Sequence, residues 1–373
     1  MNKLVALGVF AYSLAFLLDS AGGAEFRGLW VDAFHPGIKS PAETSAMIAK
    51  AKECNFNALF VEVRKRGNVY YRSSIEPMAP DAAPNYDSLS DVIEKGHANG
   101  LEIHAWIPVY EVFHDVQQVE ADPSQVHLKH PEWLMKDTAG NQRFPGNRLF
   151  LDPGVPEARA YLVSIVEEIV GKYNVDGIHL GKVIYPSPEA GYNDLSVARF
   201  NQEKGRSGEP DKDDEAWCDW RRQQVTQFVQ EAYQRITSIK PRVKVSAAVW
   251  AERHDAFHNR FQDWEAWLKA GIVDVVAPMD YYMDNRKFRC IAADVVRLGY
   301  GRHVYLGQLG SKAGAEKSVE QLRIARKMKF PGIVVFNYHY CSQVREGETS
   351  SLMDQLRVDL FSSSETIPAM GWK

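Results

Sequence analysis

The sequence predicts an α/β fold, a single (β/α)8 barrel, on three observations. Eight short apolar runs alternate with eight helix-like segments between residues 26 and 361. The helix-like segments carry their own start and stop residues. The first run leads into Val31-Asp32-Ala33-Phe34-His35, which is nothing like the glycine-rich phosphate loop of a doubly wound open sheet, the competing architecture. A chain of 373 residues with 45% hydrophobic and 25% charged side chains suits one large domain or two ordinary ones, and it shows no internal repeat.

The runs read as strands span residues 26–34, 58–64, 101–110, 175–184, 243–250, 273–282, 303–310 and 332–340. The first helix, 40–54, opens on Ser40-Pro41, a capping residue followed by proline at the first helical position. The second, 86–99, stops at Gly100. The third, 156–173, opens on proline, and the fourth, 215–240, stops at Pro241. Helices over 261–270 and 286–298 stop at Gly271 and Gly299, one over 317–329 stops before Pro331, and 350–361 closes the set. The connections after the second, third and fourth strands are long, 65–85, 111–155 and 187–214. In this architecture such loops follow strand C-termini and crowd the active face. Trp133, Phe144, Phe150, Tyr192 and Phe200 make them too apolar for free linkers.

Residues 1–24 read as a signal peptide ahead of a barrel over 25–373. Lys3 supplies a positive start, 4–18 is apolar, and Gly22 and Ala24 fit a small-x-small cleavage site. A membrane anchor is the other reading, but the run is short of the roughly 20 apolar residues that a spanning helix needs. No integral membrane segment is expected after the signal is removed, and no cysteine follows the apolar run to carry a lipid. The protein is therefore expected to be exported, to the periplasm or beyond. Its formal net charge of -4, without a basic block, excludes nucleic acid as a natural partner. Cys54, Cys218, Cys290 and Cys341 form no C-x-x-C pair, so no zinc site is expected. Export permits disulfides, but no pairing is predicted.

Side chains alternate along a strand. On the second run Leu59, Val61 and Val63 share one face, and Phe60, Glu62 and Arg64 the other. On the third, Ile103, Ala105, Ile107 and Val109 are assigned outward, with His104, Trp106, Pro108 and Tyr110 inward. On the fourth, Ile178 and Leu180 face out, and Gly177, His179 and Gly181 face in. On the fifth, Val245, Ala247 and Val249 face out, and Lys244, Ser246, Ala248, Trp250 and Glu252 face in. On the sixth, Val273, Val275 and Ala277 are assigned outward, with Asp274, Val276, Pro278, Asp280 and Tyr282 inward. Trp30 and Asp32 of the first run join the inward set. An interior so rich in ionisable and aromatic groups is costly to bury without pairing, so it points to a pocket. For single members a structural role competes: Glu62 with Arg64 could be an ion pair, and His104 or His179 a hydrogen-bonded core histidine. Asp176 sits at a strand start, on the stability face.

These stretches resemble the glycosyl hydrolase-like family 10 proteins, exported bacterial (β/α)8 barrels. The resemblance rests on Arg27-Gly28-Leu29-Trp30-Val31-Asp32, on Phe60-Val61-Glu62-Val63-Arg64-Lys65-Arg66-Gly67, on Ile103-His104-Ala105-Trp106 and on His130-Pro131-Glu132-Trp133. It continues through Leu151-Asp152-Pro153-Gly154, Asp176-Gly177-Ile178-His179 and Trp220-Arg221-Arg222. It implies a sugar-polymer substrate; some relatives act on peptidoglycan strands stripped of their peptides. The family pattern has Asp where this chain has Gly181, Arg where it has Ile184, and Asp where it has Asn68. Glu62 and Asp280 stand where the pattern has Gln and Asn.

Glycoside hydrolysis ordinarily needs two carboxyl groups, one to protonate the leaving oxygen and one to attack or to activate water. The strand-end acids are Glu62, Asp280, Asp32, Glu111 and Glu252, and the expected catalytic pair is Asp280 with Glu62. Arg64, His104 and His179 would orient substrate and Asp32 would bind it. Trp106, Tyr110, Trp250, Tyr281 and Tyr282 would stack on sugar rings. Neither a cofactor nor a metal is expected. A metal-dependent reading through Asp32, His104, His179 and Asp280 lacks a His-x-His at the first strand's end. Two functions remain in contention: a glycoside hydrolase of polysaccharide or glycan strands with rearranged acids, and a sugar-binding barrel that has lost catalysis.

Overall fold

The computed structural model describes residues 24–114 and 122–373, so the predicted signal peptide lies, but for its last residue, outside the described residues. Eight strands close into a parallel barrel: β1 (Phe26–Val31), β2 (Ala58–Glu62), β3 (Glu102–Pro108), β4 (Gly177–Gly181), β5 (Lys244–Trp250), β6 (Val275–Asp280), β7 (His303–Gln308) and β8 (Gly332–Phe336). Each pairs with its sequence neighbours, and β8 returns to β1. All eight predicted strands are present, each shorter than the run that predicted it.

Eight helices pack outside: α1 (Pro41–Glu53), α2 (Ser88–Ala98), α3 (Pro156–Lys172), α4 (Glu215–Ile239), α5 (Trp264–Ala270), α6 (Asn285–Val295), α7 (Ala315–Lys327) and α8 (Leu352–Asp359). The start signals act as the sequence suggests. Ser40 Oγ accepts from Glu43 N–H at 3.3 Å ahead of Pro41, and Asp87 Oδ1 accepts from Ser90 N–H at 3.0 Å. Asp176, below β4, accepts from Ile103 N–H at 2.7 Å and serves the frame.

The alternation holds on β2 to β5. Leu59, Val61, Ile103, Ala105, Ile178, Leu180, Val245 and Ala247 are buried in the layer between barrel and helices. A separate cluster fills the barrel: Phe26, Trp30, Phe60, Ala248, Val275, Ala277, Tyr305 and Val334, with Trp106, Met279 and Phe336 packed on it. That cluster reverses the face assigned to β6. Val275, Ala277 and Met279 point inward, while Val276 belongs to the outer layer. The Val-Val-Ala-Pro-Met run is buried on both faces and offers no polar contrast from which its phase could be read.

The described parts of the long loops carry secondary structure of their own. Arg64–Lys65 and Asn68–Val69 form a small hairpin after β2, and Glu111–His114 pairs with Arg148–Phe150 after β3. The last loop carries a helix, Asp194–Lys204, whose Phe200 packs on Trp217 and Trp220. The opposite end of the barrel is covered by the C-terminal tail. Trp372 Nε1 donates to Asp274 Oδ1 at 2.9 Å, and Ile367, Met370 and Trp372 pack against the interior cluster.

Candidate active site

A cavity of about 960 Å³ opens at the C-terminal ends of the strands, the face where barrels of this architecture place their chemistry. Trp106, Trp250, Tyr281, Tyr282, Phe34 and Phe336 give it aromatic walls. Among the expected site residues Asp32, Glu62, Trp106, Trp250, Tyr281 and Tyr282 line it.

Glu62 ends β2 and is 3% exposed. Its Oε2 accepts from Ala33 N–H at 2.8 Å. Burial pushes its carboxyl up to about 8; the nearby Asp32 adds to this, while the Ala33 N–H and the Lys182 and Lys65 charges oppose it. At neutral pH Glu62 is therefore a carboxylic acid with a proton to give.

Asp32 is fully engaged. Its Oδ1 accepts from Phe34 N–H (2.9 Å), His35 N–H (3.1 Å) and the His35 ring (2.8 Å), and Asn337 Nδ2 donates to Oδ2. Such a carboxylate holds the β1 and β8 loop ends together and has little capacity left for a reacting group. Glu111, just beyond β3, is 4% exposed and lines the same cavity. It pairs with Lys182, the residue after Gly181, and Arg148 Nη1 lies 3.9 Å from its Oε2.

The space at the end of β4 is occupied. A Cβ on Gly181 would lie 2.3 Å from Trp106 Nε1, so the indole stands where a side chain at 181 would go. That indole N–H is buried and has no hydrogen-bond partner among the described residues. Two further cations of the cavity, Lys65 and Arg260, are compensated. Lys65 Nζ is 2.8 Å from Asp81, and Arg260 Nε is 3.5 Å from Asp255 while its guanidinium covers the Trp250 ring at 4.6 Å.

Several expected site residues lie elsewhere. Asp280 is 0% exposed, does not line the cavity, and its two carboxylate oxygens have no hydrogen-bond partner among the described residues. On β6 it shares the outward face with Val276, so the expected Asp280–Glu62 pair is not brought together at the cavity. Burial, then the charge of Glu252, pushes its carboxyl up to about 8. Arg64 leaves the β2 ladder for the hairpin and forms a two-pronged pair with Glu76, both distances 2.7 Å, in which neither side chain is exposed. Its partner is thus Glu76, not Glu62. Tyr110, two residues past β3, turns onto Phe228 of α4, with ring centroids 5.6 Å apart.

His104 and His179 face into the barrel but do not line the cavity. His179 Nε2 accepts from Trp30 Nε1 at 3.0 Å, which leaves Nδ1 to donate to Ser246 Oγ at 2.8 Å. Burial holds His179 well below the usual histidine range. His104 Nε2 is 3.2 Å from Glu102 and packs over Gly177, where a Cβ would lie 2.1 Å from its ring.

The sequence reading missed Lys182, Arg66 and Arg148, all of which line the cavity. Lys182 adjoins Gly181 and Arg66 lies in Arg64-Lys65-Arg66-Gly67. Only Arg148, deep in a long loop, carried no local signal.

With this geometry in hand, the chain matches the family model described as Glycosyl hydrolase-like 10 over residues 25–297. It is 26% identical to Glycosyl hydrolase YngK of Bacillus subtilis over 418 residues, covering 98% of this chain and 78% of that protein. It is 28% identical to Glycosyl hydrolase DigH of Escherichia coli over 329 residues, covering 78% of this chain and 71% of that protein. The PgaB (BpsB) glycoside hydrolase domain from Bordetella bronchiseptica superposes with a TM-score of 0.65 at 16% identity, covering 84% of this chain and 94% of that one. At that identity the likeness concerns the fold.

Proposed function

The chain belongs to the glycosyl hydrolase-like 10 family, and from that premise we propose that it is an exported hydrolase of a bacterial cell-wall glycan or other polysaccharide. In this reading Glu62 protonates the leaving glycosidic oxygen and Glu111 is the partner carboxylate. One observation carries it: Glu62 is a buried acid held up to about 8 that lines an aromatic cavity, while Glu111, which lines the same cavity, is ion-paired with Lys182. Two carboxyls with environments that differ in this way are what acid and base roles require. Trp106, Trp250, Tyr281 and Tyr282 give the cavity aromatic surface on which sugar rings would pack, with one face of Trp250 taken by Arg260 and one of Tyr282 by Lys287. Asp280 has no part in this assignment, because it stands outside the cavity. Export rests on the leader-like residues 1–24; among the described residues no helix is long and apolar enough to cross a membrane.

The test is hydrolysis of peptide-free peptidoglycan strands and a polysaccharide panel by the native protein, Glu62→Gln and Glu111→Gln. Each substitution is expected to lower kcat by about 10² or more, the usual worth of acid or base assistance, with glycan binding retained. Activity should fall as pH rises through about 8, where Glu62 loses its proton. An unchanged rate in Glu62→Gln would remove the acid assignment.

A second reading, a barrel that binds glycan without cleaving it, is favoured by the filled space at Gly181, where the indole of Trp106 stands in place of a β4 side chain. It predicts tight binding and no turnover in the native protein. Gly181→Asp alone should then stay inactive, and Gly181→Asp with Trp106→Ala, which vacates the space, should gain cleavage.

A further inference from the structure

The cations at the cavity rim are not all balanced. Lys182 is held by Glu111, and the carboxylates of Asp81 and Asp255 hold Lys65 and Arg260. Arg66 pairs with no carboxylate among the described residues, and its buried Nε has no hydrogen-bond partner there. Arg148 gives its Nε to Pro145 O at 2.7 Å, and its nearest carboxylate, 3.9 Å from Nη1, is the Glu111 already taken by Lys182.

The two guanidinium groups belong to one patch. Arg66 lies over the Phe34 ring at 4.9 Å, and Phe34 meets the His114 ring edge-on at 6.3 Å. His114 Nε2 and Arg148 Nε both come within 3.6 Å of the Cβ position above Gly146. Burial first, then the charges of Arg66, Lys182 and Arg148, hold His114 below its ordinary value against the pull of Glu111. The loop ends after β2 and β3 thus present two guanidinium groups beside one neutral imidazole. Both arginines line the cavity that would receive the sugar chain.

We propose that Arg66 and Arg148 form an anion subsite that takes an acidic substituent, a carboxylate or a sulfate, of the bound glycan. The proposal rests on the glycan-hydrolase reading and narrows it to acidic glycans. A planar guanidinium recognises either oxyanion through paired N–H donors, and a partly buried, uncompensated guanidinium gains more from such a partner than an exposed one does.

The experiment is calorimetric binding in the Glu62→Gln background, which slows turnover. Peptide-free peptidoglycan strands, whose muramic acid units carry a carboxylate, are compared with the same strands after amidation. Dextran sulfate against dextran separates sulfate from carboxylate. The acidic member of at least one pair is expected to bind about tenfold or more tightly, the range of one charge-assisted hydrogen bond, and less so at high salt. Arg66→Gln and Arg148→Gln should each erase most of that preference without weakening binding of the neutral member, and Arg66→Lys should keep part of it. Equal affinity for acidic and neutral members of both pairs overturns the subsite while leaving a glycan-binding protein. Absence of binding to all four overturns the glycan reading itself, and the subsite with it. Matching melting curves for the variants exclude misfolding as the cause of a lost preference.

Discussion

Asp280 and Glu62 are both acids pushed up to about 8, and their surroundings give them different consequences. Glu62 opens onto the cavity, so its proton is available to a ligand. Asp280 is enclosed on the outward face of β6, where its register neighbour Gln308 also has an unpartnered acceptor, Oε1. Gln308 Nε2 is spent on Gln321 and Ser318, and Gln321 Nε2 on Tyr282 O. A protonated Asp280 is the form compatible with that surrounding. Its native value is raised, so between its ordinary value near 3.9 and about 8 the folded protein keeps a proton that the unfolded chain releases. Its contribution to stability is full below that window, declines as pH rises through it, and is flat above. Asp280→Asn is neutral at every pH and should flatten this decline, giving a Tm equal to or above that of the native protein at pH 8. Thermal melts across the window check it; a lower Tm for the variant at pH 8 would mean that the ionised carboxylate has a partner.

At the scale of elements, the loop after β2 is what turns Arg64 from an expected ligand into a tie. Arg66 and Gly67 both take left-handed backbone angles, φ +57° and +72°, in the two-residue turn of the hairpin. The barrel ladder already ends at Glu62 and Arg64 pairs within the hairpin instead, so the period-2 face of β2 does not extend to Arg64. Arg64 instead reaches Glu76, Pro108 O and Val109 O, while Tyr161 of α3 donates to Glu76 Oε1 at 2.8 Å. One buried pair thereby joins the loop after β2 to the end of β3 and to α3. Removing one partner of such a pair leaves a buried, uncompensated charge. Glu76→Gln should therefore cost about 3–5 kcal/mol in denaturant unfolding. A loss under about 1 kcal/mol would mean that water or another group replaces the carboxylate.

At the scale of the whole molecule, closure of the barrel separates two ends with different work. The C-terminal ends hold the cavity, and the opposite end is sealed by the tail. Lys373 Nζ and Trp372 Nε1 both bind Asp274, and Arg27 Nη1 donates to Ser363 O at 2.5 Å. Because the seal and the cavity lie at opposite ends, removal of residues 367–373 should lower Tm by a few °C or more and leave glycan affinity unchanged. A change in affinity at constant Tm would contradict that separation.

The sequence by itself determined the barrel, its eight strands and helices, and the inward placement of Glu62, Trp106 and Trp250. Each of these follows from local causes: caps, glycine and proline stops, and a side-chain period that holds while a residue stays in the ladder. Tertiary structure alone decided the phase of β6, the departure of Arg64, Tyr110 and Asp280 from the cavity, and the meeting of Glu111 with Lys182. A strand buried on both faces has no contrast to fix its phase. A residue past the last ladder bond no longer obeys the period. A carboxyl's proton affinity depends on what the closed barrel places around it, and no stretch of sequence contains that surrounding.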